Sequence, residues 1–164
     1  MTKILVTGMS GTGKSTALAE LASRGHRAVD TDTDRWSHWV TLPDGQRDWI
    51  WRENEMVALL DGHQDGALFV SGCKSNQGLL YPRFDHIVLL SAPVELILTR
   101  ITQRNTNPFG KTPAQRSQIL ADLAQVEPQL RRTATLEIDT AAPLAQVVTR
   151  LEALAHPANP TQDR

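Results

Sequence analysis

Apolar residues along this chain come as short unbroken runs separated by stretches with helical spacing. Ile4-Leu5-Val6 is the first run, ending at Thr7 before Gly8, and it reads as a strand covered on both faces. Ala67-Leu68-Phe69-Val70 and His86-Ile87-Val88-Leu89-Leu90 repeat the pattern, and Arg27-Ala28-Val29-Asp30 and Leu136-Glu137-Ile138 are shorter forms of it. Between the runs, apolar positions fall three and four apart. Leu18 and Leu21 follow Lys14 in this way, as do Met56, Leu59 and Leu60 after Glu53, and Ile97 and Ile101 after Pro93. Ser23-Arg24-Gly25 closes the first helix, Pro93 opens the third and Thr112-Pro113 the fourth, which Pro128 is expected to break or restart. A last helix is predicted from Pro143 to about Ala155.

Strands alternating with helices predict an α/β protein, a three-layer sandwich with an open parallel sheet between helices. Residues 1–155 read as one domain, and residues 156–164 have the composition of a disordered tail. Periodicity disappears in two places, 30–47 and 105–111. In α/β sheets such connections hold ligands. All four tryptophans, Trp36, Trp39, Trp49 and Trp51, fall in or just after the first of them. They read either as the packing of a helical flap or as ring faces offered to a ligand.

Gly8-Met9-Ser10-Gly11-Thr12-Gly13-Lys14-Ser15 follows the first strand and opens the first helix, matching G-x-x-x-x-G-K-[ST] at every fixed position. The glycines let successive N–H groups turn into one concavity, and the helix adds its positive end. Lys14 brings a movable charge to terminal phosphates, and the Ser15 hydroxyl is a ligand for the accompanying Mg²⁺. Gly8, Ser10, Gly11, Thr12, Gly13, Lys14, Ser15 and Thr16 are therefore expected to bind ATP. The glycine order does not fit the dinucleotide fingerprint.

Asp30-Thr31-Asp32 ends the second strand, and its alternation sets two carboxylates beside the phosphate end. Asp30 is expected to help Ser15 place the metal, and Asp32 to orient or deprotonate an acceptor hydroxyl. The third strand lacks the acid that motor ATPases place there and ends in Ser71-Gly72-Cys73-Lys74. Gly72 would admit close approach of another molecule, and Cys73 reads either as a packed small residue or as lining of an acceptor pocket. The stretch from Gly72 to His86 resembles the short-lid adenylate kinases, which implies that Lys74 and Arg83 grip an anionic group. Arg100 and Arg104 lie four apart, on one helix face before an irregular loop that can close over a triphosphate.

Together these segments resemble the small P-loop kinases: nucleoside monophosphate kinases, including short-lid adenylate kinases, and shikimate kinases. The resemblance covers about residues 1–155 and implies five parallel strands ordered 2-3-1-4-5 with a short lid. It further implies that Arg100 packs on the base, that Arg104 reaches the transferred phosphoryl group, and that the loop from Thr140 to Pro143 borders adenine. The segment Trp51-Arg52-Glu53-Asn54-Glu55 is similar to the shikimate kinase pattern, which would give Arg52 a carboxylate and Asp32 the ring hydroxyls. The chain departs from that pattern at Val126, where the family has an arginine, and at Asn107 near the lid arginine. The implied activity is ATP- and Mg²⁺-dependent phosphoryl transfer to a small molecule, closest to a nucleoside monophosphate kinase. A shikimate kinase-like enzyme, or an ATPase switch acting on a protein or ribonucleoprotein, are the alternatives.

Bulk composition narrows the partners. A formal charge of −1 leaves no electrostatic footprint for DNA. No apolar stretch approaches membrane-span length and the N-terminus lacks a signal core. Cys73 is the single cysteine, which excludes an intrachain disulfide, and a cytoplasmic protein is expected.

Overall fold

The computed structural model describes residues 1–104 and 109–156. The expected lid is therefore described only at its edges. Asn107 and all of the expected tail except His156 lie outside the described residues. The elements are β1 (Thr2–Thr7), α1 (Lys14–Ser23), β2 (Arg27–Asp30), β3 (Ser37–Thr41), β4 (Arg47–Trp51), α2 (Glu53–Gly62), β5 (Ala67–Ser71), a 3-10 helix (Gln77–Arg83), β6 (His86–Ser91), α3 (Val94–Gln103), α4 (Pro113–Thr133), β7 (Leu136–Asp139) and α5 (Leu144–Ala155).

Five strands form one parallel sheet in the order β2-β5-β1-β6-β7. Counted among themselves they run 2-3-1-4-5, the order that the resemblance implied. Strand alternation divides the core between the two faces. Ile4, Val6, Phe69, Val88, Leu90 and Ile138 pack against Leu18 and Leu21 of α1 and Val147, Val148 and Leu151 of α5. Leu5, Leu68, Val70 and Ile87 face the other way, onto Met56, Leu59 and Leu60 of α2, Leu80 and Trp51. A smaller cluster of Ile97, Ile101 and Ile119 joins α3 to α4. Among the described residues, no helix is long and apolar enough to cross a membrane.

The tryptophan segment is not a helical flap. β3 and β4 form an antiparallel hairpin outside the main sheet, with Trp39 opposite Trp49 and Ser37 opposite Trp51. The turn is built by Leu42 N–H donating to Gln46 O (2.7 Å), by Asp44 Oδ1 accepting from Gln46 N–H (2.9 Å), and by Gly45 at φ 85°. Pro43-Asp44-Gly45 between two runs rich in aromatic and β-branched residues is the signal that marks it.

Pro128 does not interrupt the fourth helix, which runs from Pro113 to Thr133. Its start is fixed by a capping box in which Thr112 accepts from Gln115 N–H and Gln115 reaches back. Ile119 and Leu130, on either side of the proline, are both buried. Packing on both sides of Pro128 outweighs the one helical hydrogen bond that the proline removes.

Glu152 ties α5 to the turn that follows α1. It accepts from the Arg24 guanidinium and lies 2.9 Å from His26 Nε2. His26 and then Arg24 hold its carboxyl below the usual glutamate value. A depressed carboxylate pKa stabilises the fold above the unfolded-state pKa and stops doing so as pH falls through the folded-state value. Glu152→Gln should thus unfold at lower urea concentration than the parent at neutral pH. The gap should close as pH falls below about 4, measured by urea titrations across pH.

Candidate functional site

Parallel register brings the carboxyl ends of the strands to one edge. Val6 and Asp30 each pair with Ser71, Thr7 pairs with Leu89, and Ser91 pairs with Asp139. A cavity of about 700 Å³ opens at this edge. One wall is Gly8, Ser10, Gly11, Gly13, Lys14, Ser15 and Thr16; a second is Asp30, Asp32, Gly72, Cys73 and Lys74; a third is Arg100, Arg104 and Thr140. The apolar side chains of Leu144 and Val147 complete the end near Thr140. The structure thus gathers every expected site residue into one cavity except Thr12, Arg52 and Arg83.

The glycine-rich turn is held by contacts that only a bare Cα allows. Gly8 has φ 149°, and a Cβ there would collide with the Leu90 carbonyl oxygen and lie 2.8 Å from Thr12 Oγ1. Thr12 is fully buried, and its hydroxyl donates to Met9 O at 2.8 Å, so its side chain closes the turn from beneath. Lys14 Nζ donates to Gly8 O (2.6 Å) and Met9 O (3.0 Å), folding over its own loop. Burial pushes the Lys14 ammonium below the usual lysine value, against the opposing pull of Cys73, Asp32 and Asp30. An anion entering the turn would meet this desolvated charge at short range.

Opposite lies the Asp-Thr-Asp segment, whose alternation separates two tasks. Thr31 points inward and is fully buried. Its hydroxyl donates to Ser71 O (2.6 Å) and accepts from the buried Trp51 indole N–H (2.8 Å), while its carbonyl accepts from Ser37 Oγ (2.6 Å). Asp30 and Asp32 point outward. Asp30 Oδ2 accepts from Ser15 Oγ at 3.2 Å, and Asp30 Oδ1 accepts from Asp32 N–H at 3.0 Å. Asp32 Oδ1 accepts from both Lys74 Nζ (2.8 Å) and Trp49 Nε1 (2.7 Å). Desolvation, the largest single influence on Asp32, acts to raise its pKa. The hydrogen bonds from Lys74 and Trp49 and the charges of Lys74 and Lys14 outweigh it, and the net displacement is downward.

Gly72 is a glycine for a reason other than the expected one. A Cβ there would sit 2.5 Å from Thr31 Oγ1 and 3.2 Å from Trp51 Nε1, so the close approach is by the chain's own Thr31 and Trp51. Lys74 is held by its backbone N–H donating to Gln77 Oε1 (2.9 Å), and the Gln77 amide donates to Thr7 Oγ1 (3.1 Å).

At the third wall, Arg100 is a cross-brace. It donates to Thr140 Oγ1 (2.9 Å), Thr140 O (2.6 Å) and Gly11 O (3.3 Å), and Thr140 in turn donates to Thr12 O (2.7 Å). Arg104 reaches Ser10 Oγ at 3.3 Å and Phe109 O at 2.8 Å. Arg52 stands apart. It precedes α2 and donates to Asp34 O at 3.0 Å, away from the cavity wall. Arg83 pairs with Asp61 at 3.2 Å and is likewise outside the cavity lining. Trp49 is the functional candidate that sequence reasoning left unresolved. Its alternation with Trp51 on β4 separates an Asp32-binding indole from a core indole.

The model of the AAA domain family matches residues 4–121, a span that includes the phosphate turn, the hairpin and all of α3. No curated protein sequence matches. Among solved structures, a shikimate kinase from Acinetobacter baumannii in complex with shikimate has a TM-score of 0.63 at 22% identity, covering 94% of this chain and 92% of its own. A sugar kinase from Janibacter sp. HTCC2649 gives 0.58 at 18% identity, with 96% and 97% covered. A gluconokinase from Sinorhizobium meliloti 1021 gives 0.55 at 20% identity, with 96% and 93% covered. At these identities the shared property is the fold.

The packing around Gly72 carries a test of its own. Gly72→Ala should lower the unfolding free energy by about 1–3 kcal/mol through overpacking against Thr31 and Trp51, read from denaturant titrations followed by tryptophan fluorescence.

Proposed function

The chain belongs to the AAA domain family, and from that premise we propose that it is an ATP- and Mg²⁺-dependent phosphotransferase acting on a small molecule. The observation that carries the reading is one cavity with a phosphate turn on one side and an oriented carboxylate, Asp32, on the other. Its volume of about 700 Å³ is in the range of small-ligand sites. The whole-chain likeness to shikimate, sugar and gluconate kinases supports the same class.

The residues fit the nucleotide and its metal. Bound ATP with magnesium would supply the γ-phosphoryl group and spread its charge. The turn's N–H groups would hold the phosphates, and Lys14 would exchange its two loop carbonyls for phosphate oxygens. Among the described residues, no three His, Cys, Asp or Glu side chains gather into a metal cage. Ser15 and Asp30, already within hydrogen-bond distance, are suited to an ion that keeps its waters and takes its other ligands from phosphate. Arg104, beside Ser10, would stabilise charge on the moving group, and Arg100 with Thr140 would border the base. Asp32, ionised across the neutral range, would accept the proton-bearing side of the acceptor hydroxyl and point its oxygen at the γ-phosphorus.

Phosphorus NMR with ATP, magnesium and a panel of hydroxyl acceptors tests the reading. A new phosphoester accompanied by acceptor-dependent ADP supports it. Slow hydrolysis indifferent to every acceptor would transfer the cavity to the switch class instead. Lys14→Ala should lower kcat by about 10²–10³. Asp32→Asn should lower kcat by about 10² or more while leaving ATP affinity near the parent value, which parallel turnover and calorimetry would separate.

A further inference from the structure

Charge around Asp32 bears on what the acceptor is. Lys74 is the cation that lines the acceptor wall, its side chain 7% exposed, and it is bound to the Asp32 carboxylate. Nearby arginines are turned to other partners. Arg35 donates to Glu55 at 2.7 Å and lies over Trp36 at 4.3 Å, Arg47 lies over Trp39 at 5.1 Å, and Arg52 bonds Asp34 O. A phosphate or carboxylate acceptor is held by charge-assisted bonds, usually from a bidentate arginine. Among the described residues this wall holds no arginine, and its lysine is already paired with Asp32.

The same corner offers something else. Trp49 and Lys74 both donate to Oδ1 of Asp32, and among the described residues Oδ2 accepts no hydrogen bond. Oδ2 is therefore a prepared acceptor for a ligand hydroxyl. Behind it the indoles of Trp39 and Trp49 pack 5.2 Å apart, and Trp39 keeps 55% of its surface exposed. Lys74 Nζ lies 5.5 Å from the Trp49 ring, which places carboxylate, ammonium and indole at one corner. With Lys74 bound to Asp32 and Arg47 laid over Trp39, the hydrogen-bonding corner beside the indole pair suits a ring that carries hydroxyls and no charge.

We infer that the phosphoryl acceptor is an uncharged, ring-bearing polyol, a nucleoside or a free sugar or cyclitol. It would bind with a hydroxyl on Asp32 Oδ2 and its ring toward the Trp39–Trp49 pair. In the transfer itself the acceptor hydroxyl oxygen forms the new bond to the γ-phosphorus, the bond from that phosphorus to the β–γ bridging oxygen breaks, and ADP leaves. The hydroxyl proton passes to Asp32 or solvent. This deepens the phosphotransferase reading and rests on it, while departing from the expected nucleoside monophosphate and from the carboxylates of shikimate and gluconate.

Calorimetry and tryptophan emission test the inference with the full chain, magnesium and a non-hydrolysable ATP analogue. The titrants are adenosine, glucose and myo-inositol against their charged counterparts AMP, gluconate and shikimate. The expected result is that at least one uncharged titrant binds about tenfold or more tightly than its charged counterpart, the worth of one charge-assisted contact. It should shift tryptophan emission, less so in Trp49→Phe. Adenosine or the sugars binding best decides which ring is used. Tighter binding of AMP, gluconate or shikimate, or binding of no uncharged titrant, overturns the inference. Asp32→Asn frees Lys74 and should raise affinity for AMP or gluconate, and no gain there counts against the neutralised pair. Binding of the ATP analogue is read in the same titrations. Its loss would defeat the phosphotransferase reading itself, whereas anion preference with that binding intact defeats only the choice of acceptor.

Discussion

The hydroxyl of Thr31 is the point on which the site turns. It donates to the Ser71 carbonyl at the end of β5 and accepts from the Trp51 indole at the end of β4, with no exposure to solvent. A buried hydroxyl with both donor and acceptor roles filled fixes backbone direction, since leaving either partner unpaired costs about 1–3 kcal/mol. With Thr31 held inward, strand alternation obliges Asp30 and Asp32 to face the cavity. The same bond draws the tryptophan hairpin against the main sheet, so one side chain sets both carboxylates and the wall beside them.

From that point the two halves of the cavity are built in different ways. The phosphate half is largely main chain. The turn is shaped by Gly8 against Leu90 O, closed by Thr12 and braced through Arg100 and Thr140 to the far edge of the sheet. The other half is side chains of a hairpin and a short loop, cross-linked by Asn76 Oδ1 accepting from Trp51 N–H (3.1 Å) and by Ser75 Oγ donating to Asp48 (2.6 Å). Lys74 sits in that loop, which explains how a nearly buried ammonium meets Asp32 at a fixed distance.

Much of this was legible in the residues. The apolar runs marked all five sheet strands because buried parallel strands need no polar alternation. The phosphate turn was legible because its chemistry is local, fixed by glycines and a Lys-Ser pair within eight positions. The hairpin is hidden in the sequence because four indoles obscure the period-two pattern on either side of Pro43-Asp44-Gly45. Pro128 defeats a propensity rule because such a rule cannot see Ile119 and Leu130 packed on either side. The motif around Arg52 implies a ligand carboxylate, whereas its guanidinium bonds the Asp34 carbonyl, a contact across the hairpin that no spacing reveals.

The hairpin stands outside the five-stranded sheet and touches it chiefly through Trp51. It is a cassette joined by few seams, inserted between the second strand and the helix that leads into the third. If the chain is the phosphotransferase proposed above, replacing its outward-facing rings would retune the acceptor without disturbing the layers beneath. The fold thereby separates a part fixed by its own backbone, the glycine-rich turn, from a part that is free to diverge.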